Sequence, residues 1–320
     1  LVGSEMCIRD SSNGEEFGRF LPGQFLSFQI KDDPKTLRSY SISGSCENNS
    51  TLQVSIKNIK DGIGSGWFHS LSVGDTVKAF PPGGHFTDAD QDINGMRVFV
   101  AGGIGITPFV SMIKTAIDQS RKSLIVLFYG MKSEADFVFH EQLMAFANTY
   151  SYFSYYPILS DKSESWSGDT GFITYDFINE KVKIEESTHF YFCGPPVMTD
   201  SITESLKDSN VSLKNIHSEK FVSPTSIDLS KLTSMKVKID VNDRELQYDG
   251  KETLLDFLEE QNVDISFACR SGVCGECKCK LITGEVDALT DSGLNEEEKE
   301  QNYILTCVSR PLTDIKIDID

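Results

Sequence analysis

The stretch FACRSGVCGECKCKL, residues 267–281, sets four of the chain's eight cysteines within eleven positions, and Cys307 follows in YILTCVSR. Thiols this close serve as disulfides, zinc ligands, a redox dithiol or iron–sulfur ligands. A disulfide framework would spread its cysteines through a small, loop-rich secreted fold, and a 320-residue chain of periodic apolar segments is neither small nor loop-rich. Zinc sites usually pair two C-x-x-C units, and there is no second pair. A thioredoxin-like dithiol needs one C-x-x-C beside a βαβ pattern, which the surrounding segment lacks.

Cys269-x4-Cys274-x2-Cys277, with Cys307 a further 29 residues on, is the spacing of plant-type 2Fe-2S centres. Gly272 and Gly275 let the loop wrap a cluster and turn N–H groups towards its sulfurs. Cys279 stands outside the spacing and is read as structural. A second chemistry sits in AGGIGITP, where Gly102, Gly103 and Gly105 lie between an apolar run and a helical pattern. Glycines let backbone approach a phosphate, and a helix N-terminus offers it free N–H groups and positive potential. Thr107 is predicted to cap that helix, with Pro108 at its first position. An ordinary tight turn is the competing reading, and G-x-G-x-x-G is not the spacing present.

Three further stretches carry usable groups. RSYS offers the forked cation of Arg38, the flat ring of Tyr40 and the hydroxyl of Ser41. DGIGSGWF is a second glycine-rich turn, with Gly62, Gly64 and Ser65. YFCGPPVM puts Cys193 at the C-terminal end of a predicted parallel strand, where ligands bind in open α/β sheets, although a strand cysteine is often only a small core hydrophobe.

The elements that must hold these groups follow from periodicity. QFLSFQI alternates as a strand does, and RSYSIS, TLQVSIKNI and DTVKAF follow between turn clusters. These predict an antiparallel barrel or sandwich ending at PPGGHF. From Met96 the pattern changes to buried strands alternating with helices, predicting a doubly wound parallel α/β sheet. A Ser/Thr/Pro-rich linker, VSPTSIDLSKLTS, leads to a hairpin, a short helix, the cysteine loop and a closing strand, DIKIDID. The predicted domains are 1–93, 94–221 and 234–320, with 222–233 as linker. The opening LVGSEMCIRDS shows no period and no initiating Met, so residues 1–11 are expected to be non-native and 1 to about 14 to pack against nothing. The native chain is expected to begin further upstream, leaving the barrel incomplete.

A net charge of −18 argues against nucleic acid, whose phosphates need Lys and Arg. From Ser234 to the end, twenty acidic residues stand against ten basic ones, which serves solubility or an acidic docking face for a basic partner. No run of eighteen apolar residues is present, so no membrane span is predicted.

Taken in order, these motifs resemble the ferredoxin–NADP reductase family in its three-part form, over residues 21–320. The resemblance implies a flavin β-barrel, a nicotinamide α/β domain and an α+β β-grasp ferredoxin domain. Arg38 would hold a flavin phosphate, Tyr40 would stack on the isoalloxazine and Ser41 would reach its N5 edge. Gly62, Gly64 and Ser65 would cradle the flavin phosphates, with Lys57 helping. Residues 102–108 would bind the nicotinamide cofactor's pyrophosphate, and Cys193, Gly194 and Pro195 would line the place where nicotinamide meets flavin. Glu219 and Phe221 match the family's E-x-F ending. Cys269, Cys274, Cys277 and Cys307 would hold the cluster. The implied cofactors are FAD (with FMN as the alternative), NADH (with NADPH as the alternative) and the 2Fe-2S cluster. The implied activity is electron transfer from NADH through FAD and cluster to a protein acceptor in the cytoplasm, either an oxygenase component or a hybrid-cluster protein. The rival readings are a self-contained small-molecule reductase and, from a different class, a zinc-stabilised binding module.

Overall fold

The computed structural model describes residues 5–9, 19–31, 33–47, 51–88, 95–161, 163–209, 211–221, 235–291, 293–294 and 296–319. The first region holds strands β1 (Glu5–Arg9), β2 (Phe25–Ile30), β3 (Asp33–Ser41) and β4 (Thr51–Ser55), then helix α1 (Ile63–Ser70). The second alternates β5 (Arg97–Gly102), α2 (Thr107–Asp118), β6 (Ile125–Met131), α3 (His140–Thr149), β7 (Phe153–Leu159), β8 (Asp169–Thr170), α4 (Tyr175–Lys181), β9 (His189–Cys193), α5 (Pro196–Lys207) and β10 (Ile216–Glu219). The third holds β11 (Val237–Val241), β12 (Arg244–Tyr248), α6 (Leu254–Glu260), β13 (Lys278–Thr283), β14 (Val286–Ala288), α7 (Glu296–Glu300), β15 (Tyr303–Leu305), β16 (Ser309–Pro311) and β17 (Ile315–Asp318).

The chain forms two compact units, Leu1–Leu26 with Tyr40–Thr76 and His85–Phe221, and Ser27–Ser39 with Val77–Gly84 and Val222–Asp320. The first unit is built on a six-stranded parallel sheet in the order β10-β9-β5-β6-β7-β8. Its central strands read as near-continuous apolar runs because both faces are covered: Val98, Val100 and Phe128 point to one layer, Phe99, Leu127 and Tyr129 to the other. The first strand of this sheet, β5, lies between β6 and β9. The strand order therefore reverses at β5/β9, which places a crevice beyond the carboxyl ends of those two strands.

The second unit's five-stranded sheet runs β12-β11-β17-β13-β15, with β11 and β17 parallel and the other pairs antiparallel. Thr253 caps α6 by accepting from Asp256 N–H, and Leu254, Leu255 and Leu258 of that helix are buried against the sheet's apolar side.

The flavin-like region departs from expectation in three places. β1 pairs antiparallel with β4, Glu5 opposite Ser55 through Arg9 opposite Thr51, where an unpaired leader is predicted. A sheet edge recruits extended backbone whatever the side-chain pattern, because its N–H and C=O groups need partners. DTVKAF forms no strand and contributes a single bridge, Ala79 to Phe28, before Pro81 and Pro82 end the pairing. Its neighbours pair two by two, β1 with β4 and β2 with β3, and Ile42 bridges to Val54. The turn DGIGSGWF is a turn only as far as Gly62, after which α1 begins. The predicted linker lies outside the described residues.

Candidate functional site

Beyond the end of β5, the chain passes through a 3-10 turn, Gly103–Ile106, into α2. Thr107 is already helical (φ −59°, ψ −47°) and its hydroxyl donates to Ile104 O at 3.1 Å, so it does not cap α2 as the sequence predicts. The helix starts with no side-chain cap; the Thr107 N–H is taken by Ile104 O and Pro108 has none to offer. The glycines divide their work. Gly103 has φ +60° and open space where a Cβ would stand. A Cβ on Gly105 would lie 2.1 Å from Cys193 O, and one on Gly102 would lie 2.5 Å from Pro195 Cδ. Gly102 and Gly105 therefore let the turn press backbone to backbone on residues 193–195, while Gly103 leaves an approach for a phosphate.

Cys193 ends β9 and is buried, and burial pushes its thiol pKa well up. Its register partner on β10 is Glu219. The Glu219 stem is part-exposed, but Oε2 is buried without a hydrogen-bond partner, and burial raises this carboxyl from 4.5 to about 8. A neutral acid and a neutral thiol thus sit side by side at the crevice mouth. Phe221, two residues on, is 50% exposed, a large aromatic face left in solvent.

Tyr40 and Ser41 end β3. The Tyr40 ring meets Phe68, in the last turn of α1, edge-on at 5.3 Å. The N-terminus of α1, like that of α2, lacks a side-chain cap. Gly62 is required sterically, since a Cβ there would lie 2.5 Å from Ser65 Oγ. Ser65 Oγ accepts from Ile59 N–H at 3.1 Å and keeps its own proton to donate. Lys57 is paired with Asp136 at 3.7 Å. Arg38, on the second unit's part of β3, donates to Leu37 O at 2.7 Å.

In the second unit the four spaced cysteines are buried and meet two by two. Cys274 donates to Cys269, lowering the Cys269 thiol pKa and raising its own; Cys307 stands in the same relation to Cys277. Backbone amides add to this: Ser271 N–H reaches Cys269 Sγ at 3.4 Å and Glu276 N–H reaches Cys274 Sγ at 3.5 Å. Each donor directly follows a residue with left-handed backbone, Arg270 (φ +51°) before Ser271 and Gly275 (φ +78°) before Glu276, which turns those amides inward. Thr306 ties the Cys307 segment to the loop, its hydroxyl donating to Cys277 O at 2.9 Å. Among the described residues no three His, Cys, Asp or Glu side chains converge on a single metal ion. Pairwise thiols suit a two-iron cluster better than one zinc. Cys279 is buried in the same apolar cluster as Cys277 and Cys307, opposite Ile304 in the β13–β15 register, and burial raises its thiol pKa.

Two residues that sequence reasoning passes over also shape this loop. Arg270 (φ +51°) binds Asp256 at 2.8 Å and Glu259 at 2.5 Å on α6, and covers the Phe267 ring at 4.2 Å. Gly293 allows close approach, since a Cβ there would lie 2.9 Å from Gly275 N. An Arg beside the first cysteine was a readable signal for the former. Gly293 offered none.

Comparison with known proteins gives three family matches: an oxidoreductase FAD-binding domain over residues 11–87, an oxidoreductase NAD-binding domain over 99–204 and a 2Fe-2S iron–sulfur cluster binding domain over 237–312. The chain is 30% identical to one component of the 1,2-phenylacetyl-CoA epoxidase of Escherichia coli strain K12, over 96% of its own length and 90% of that protein's. The chain belongs to the ferredoxin–NADP reductase family. This reductase is also 29% identical to the ferredoxin reductase component of 3-ketosteroid-9-alpha-monooxygenase from Rhodococcus rhodochrous, over 93% of its length and 88% of that protein's. It shares the fold of phthalate dioxygenase reductase, with a TM-score of 0.64 at 22% identity over 99% of this chain and 92% of that one. It is an NAD(P)H oxidoreductase of three-domain type, and its cofactors are FAD, NADH and a 2Fe-2S cluster. Among the described residues, no helix is long and apolar enough to cross a membrane.

Proposed function

We propose that this reductase is the electron-supplying component of a multicomponent oxygenase, delivering single electrons from its C-terminal domain to a Rieske-type acceptor in the cytoplasm. The reading is supported by the names of its relatives, among them the ketosteroid monooxygenase reductase component. A second reading, supply to a hybrid-cluster protein, is favoured by a 25% identical relative, the NADH oxidoreductase HCR of Escherichia coli. The observation that carries the outward route is the pairing of Cys269 with Cys274 and of Cys277 with Cys307. Free thiols throughout the described cysteines fit a reducing compartment. The proposed domain division, 1–93, 94–221 and 234–320, is supported by the ranges of the three family matches.

When bound, the cofactors supply hydride donation, two-to-one electron conversion and one-electron release in turn. The chain's own groups bind and orient. In this proposal residues 102–108 present N–H groups to the nicotinamide cofactor's pyrophosphate, and α1's uncapped terminus with Ser65 does the same for the flavin's. Tyr40 supplies a flat face, held edge-on by Phe68. Cys193 and Glu219, both neutral through burial, keep charge away from the nicotinamide position. Cys269, Cys274, Cys277 and Cys307 hold the cluster, and Cys279 does not.

Replacing Cys274 or Cys307 by Ser is expected to abolish the cluster's visible absorption and electron delivery to a one-electron protein acceptor. Reduction of ferricyanide by NADH should persist in both. Cys279→Ser should keep both activities. Cluster loss in Cys279→Ser with Cys307→Ser harmless would overturn the ligand assignment. Undiminished delivery by cluster-free variants would remove the C-terminal domain from the electron path.

A further inference from the structure

Helix α2 carries the candidate pyrophosphate cradle at its first turn, and a different set of its residues is bonded elsewhere. Ser111 and Thr115, one turn apart and both fully buried, face residues 43–47, a segment separated from Tyr40 and Ser41 by Ile42 alone. Ser111 Oγ donates to Gly44 O at 2.7 Å, and Thr115 Oγ1 accepts from Cys46 N–H at 3.0 Å. Lys114 Nζ donates to Ser43 O at 3.1 Å and to Gln53 Oε1 of β4 at 3.3 Å, and lies 5.2 Å above the Phe139 ring. One turn further, Gln119 donates to Glu47 at 2.5 Å. Buried hydroxyls on a helix normally bond back to their own helix or are absent. Here they are spent on the backbone of a loop about seventy positions away in sequence.

We infer that Ser111, Lys114 and Thr115 are positioning residues for hydride transfer: through them α2 acts as a rigid strut that sets the distance between the nicotinamide cradle at its N-terminus and the flavin motif that ends β3. This rests on the proposed reading of those two motifs. A helix advances 1.5 Å per residue, so the bonded positions stand roughly 6–18 Å along the axis from Thr107, a span that only a stiff element holds constant. The anchored atoms on the far side are mostly backbone, so the loop cannot relax by rotating side chains. Misplacement of reacting groups by about 1 Å costs up to about 100-fold in rate, which makes such a strut consequential for rate and nearly neutral for binding. The Ser111 and Thr115 hydroxyls bond Gly44 and Cys46, which lie outside the candidate cofactor-binding motifs.

The test uses the holoenzyme and the variants Thr115→Val, Thr115→Ser and Ser111→Ala with Thr115→Val. Amide exchange of Cys46 reports the strut without turnover, and single-turnover flavin reduction gives a limiting rate and an NADH Kd. In the double variant the Cys46 amide should exchange faster and the limiting rate should fall about 10-fold, with Kd changed less than about twofold. Thr115→Val should show a smaller loss of the same kind, and Thr115→Ser, which keeps the hydroxyl, should behave as the parent. If the double variant fails to retain flavin, Thr115→Val against Thr115→Ser decides alone. Faster Cys46 exchange with an unchanged limiting rate would overturn the inference, as would equal losses in the Val and Ser variants. A parent enzyme whose flavin NADH does not reduce would instead overturn the reading of the motifs themselves.

Discussion

Glu219 shows how one side chain can record its surroundings. With Oε2 buried and unpartnered, the folded protein holds this proton up to about pH 8, whereas the unfolded chain releases it near 4.5. Between those values the native state binds more protons, so stability falls as pH rises, by up to about 1.4 kcal/mol per pH unit. Glu219→Gln keeps the shape without the ionisation. Urea unfolding across pH 5 to 9 should therefore fall less steeply for the variant, leaving it the more stable protein at the alkaline end. Parallel profiles would mean that the carboxyl is solvated in the folded state. The buried Cys193 thiol, its strand neighbour, adds no charge to this window because burial raises its pKa too.

At the scale of elements, the β5–α2 turn separates two uses of glycine. Gly105 has no room for a Cβ because Cys193 O stands 2.1 Å away, so Gly105→Ala must push the turn off β9. That overpacking should cost about 1–3 kcal/mol and weaken nicotinamide binding as well. Gly103→Ala meets no neighbour and should cost about 1–2 kcal/mol through its left-handed φ alone. Denaturant titration of the two variants, with NADH titration alongside, tests the ranking. Weaker NADH binding in Gly105→Ala than in Gly103→Ala would contradict the division of labour drawn for this turn, in which the open side of Gly103 is the phosphate's approach. α1 follows the same logic at Gly62, where the clash would be with Ser65 itself.

For the whole molecule, the apolar clusters of the two units differ in how their cysteines are placed. The β5–β10 sheet's clusters include Cys193 among aliphatic and aromatic side chains, while the second unit's cluster includes Cys277, Cys279 and Cys307 among its buried members. On the proposed assignment of Cys277 and Cys307 as cluster ligands, ligation stabilises the second unit directly. Cys274→Ser should leave amide-exchange protection in β5, β6 and β9 unchanged and reduce it in β13 and β15, which adjoin the cysteines. Equal loss in both sheets would show that the units unfold as one.

Much of the chemistry was legible because it is local. The cysteine spacing, the glycines after β5 and the RSYS run lie within a few residues of one another, and backbone geometry over such distances depends on residue type. The alternation of strands with helices likewise carried the parallel sheet. What spacing could not convey was any relation between distant segments. Thr107 reads as a cap until the 3-10 turn before it is seen to close on Ile104. Gly105 reads as a phosphate glycine until β9 arrives beside it from about ninety residues away. β1 finds β4 through backbone edges that no side-chain pattern announces, and DTVKAF meets a strand pattern yet yields one bridge. The pairing of Glu219 with Cys193, the seating of Ser111 and Thr115 on residues 43–47, and the grouping of four thiols into two pairs all depend on which segments become neighbours when the sheets assemble. Residue types and their local spacing set which chemical groups are present and how each is presented. Packing alone settled which of them face each other, because burial and hydrogen-bond partners are properties of the folded chain and not of any stretch within it.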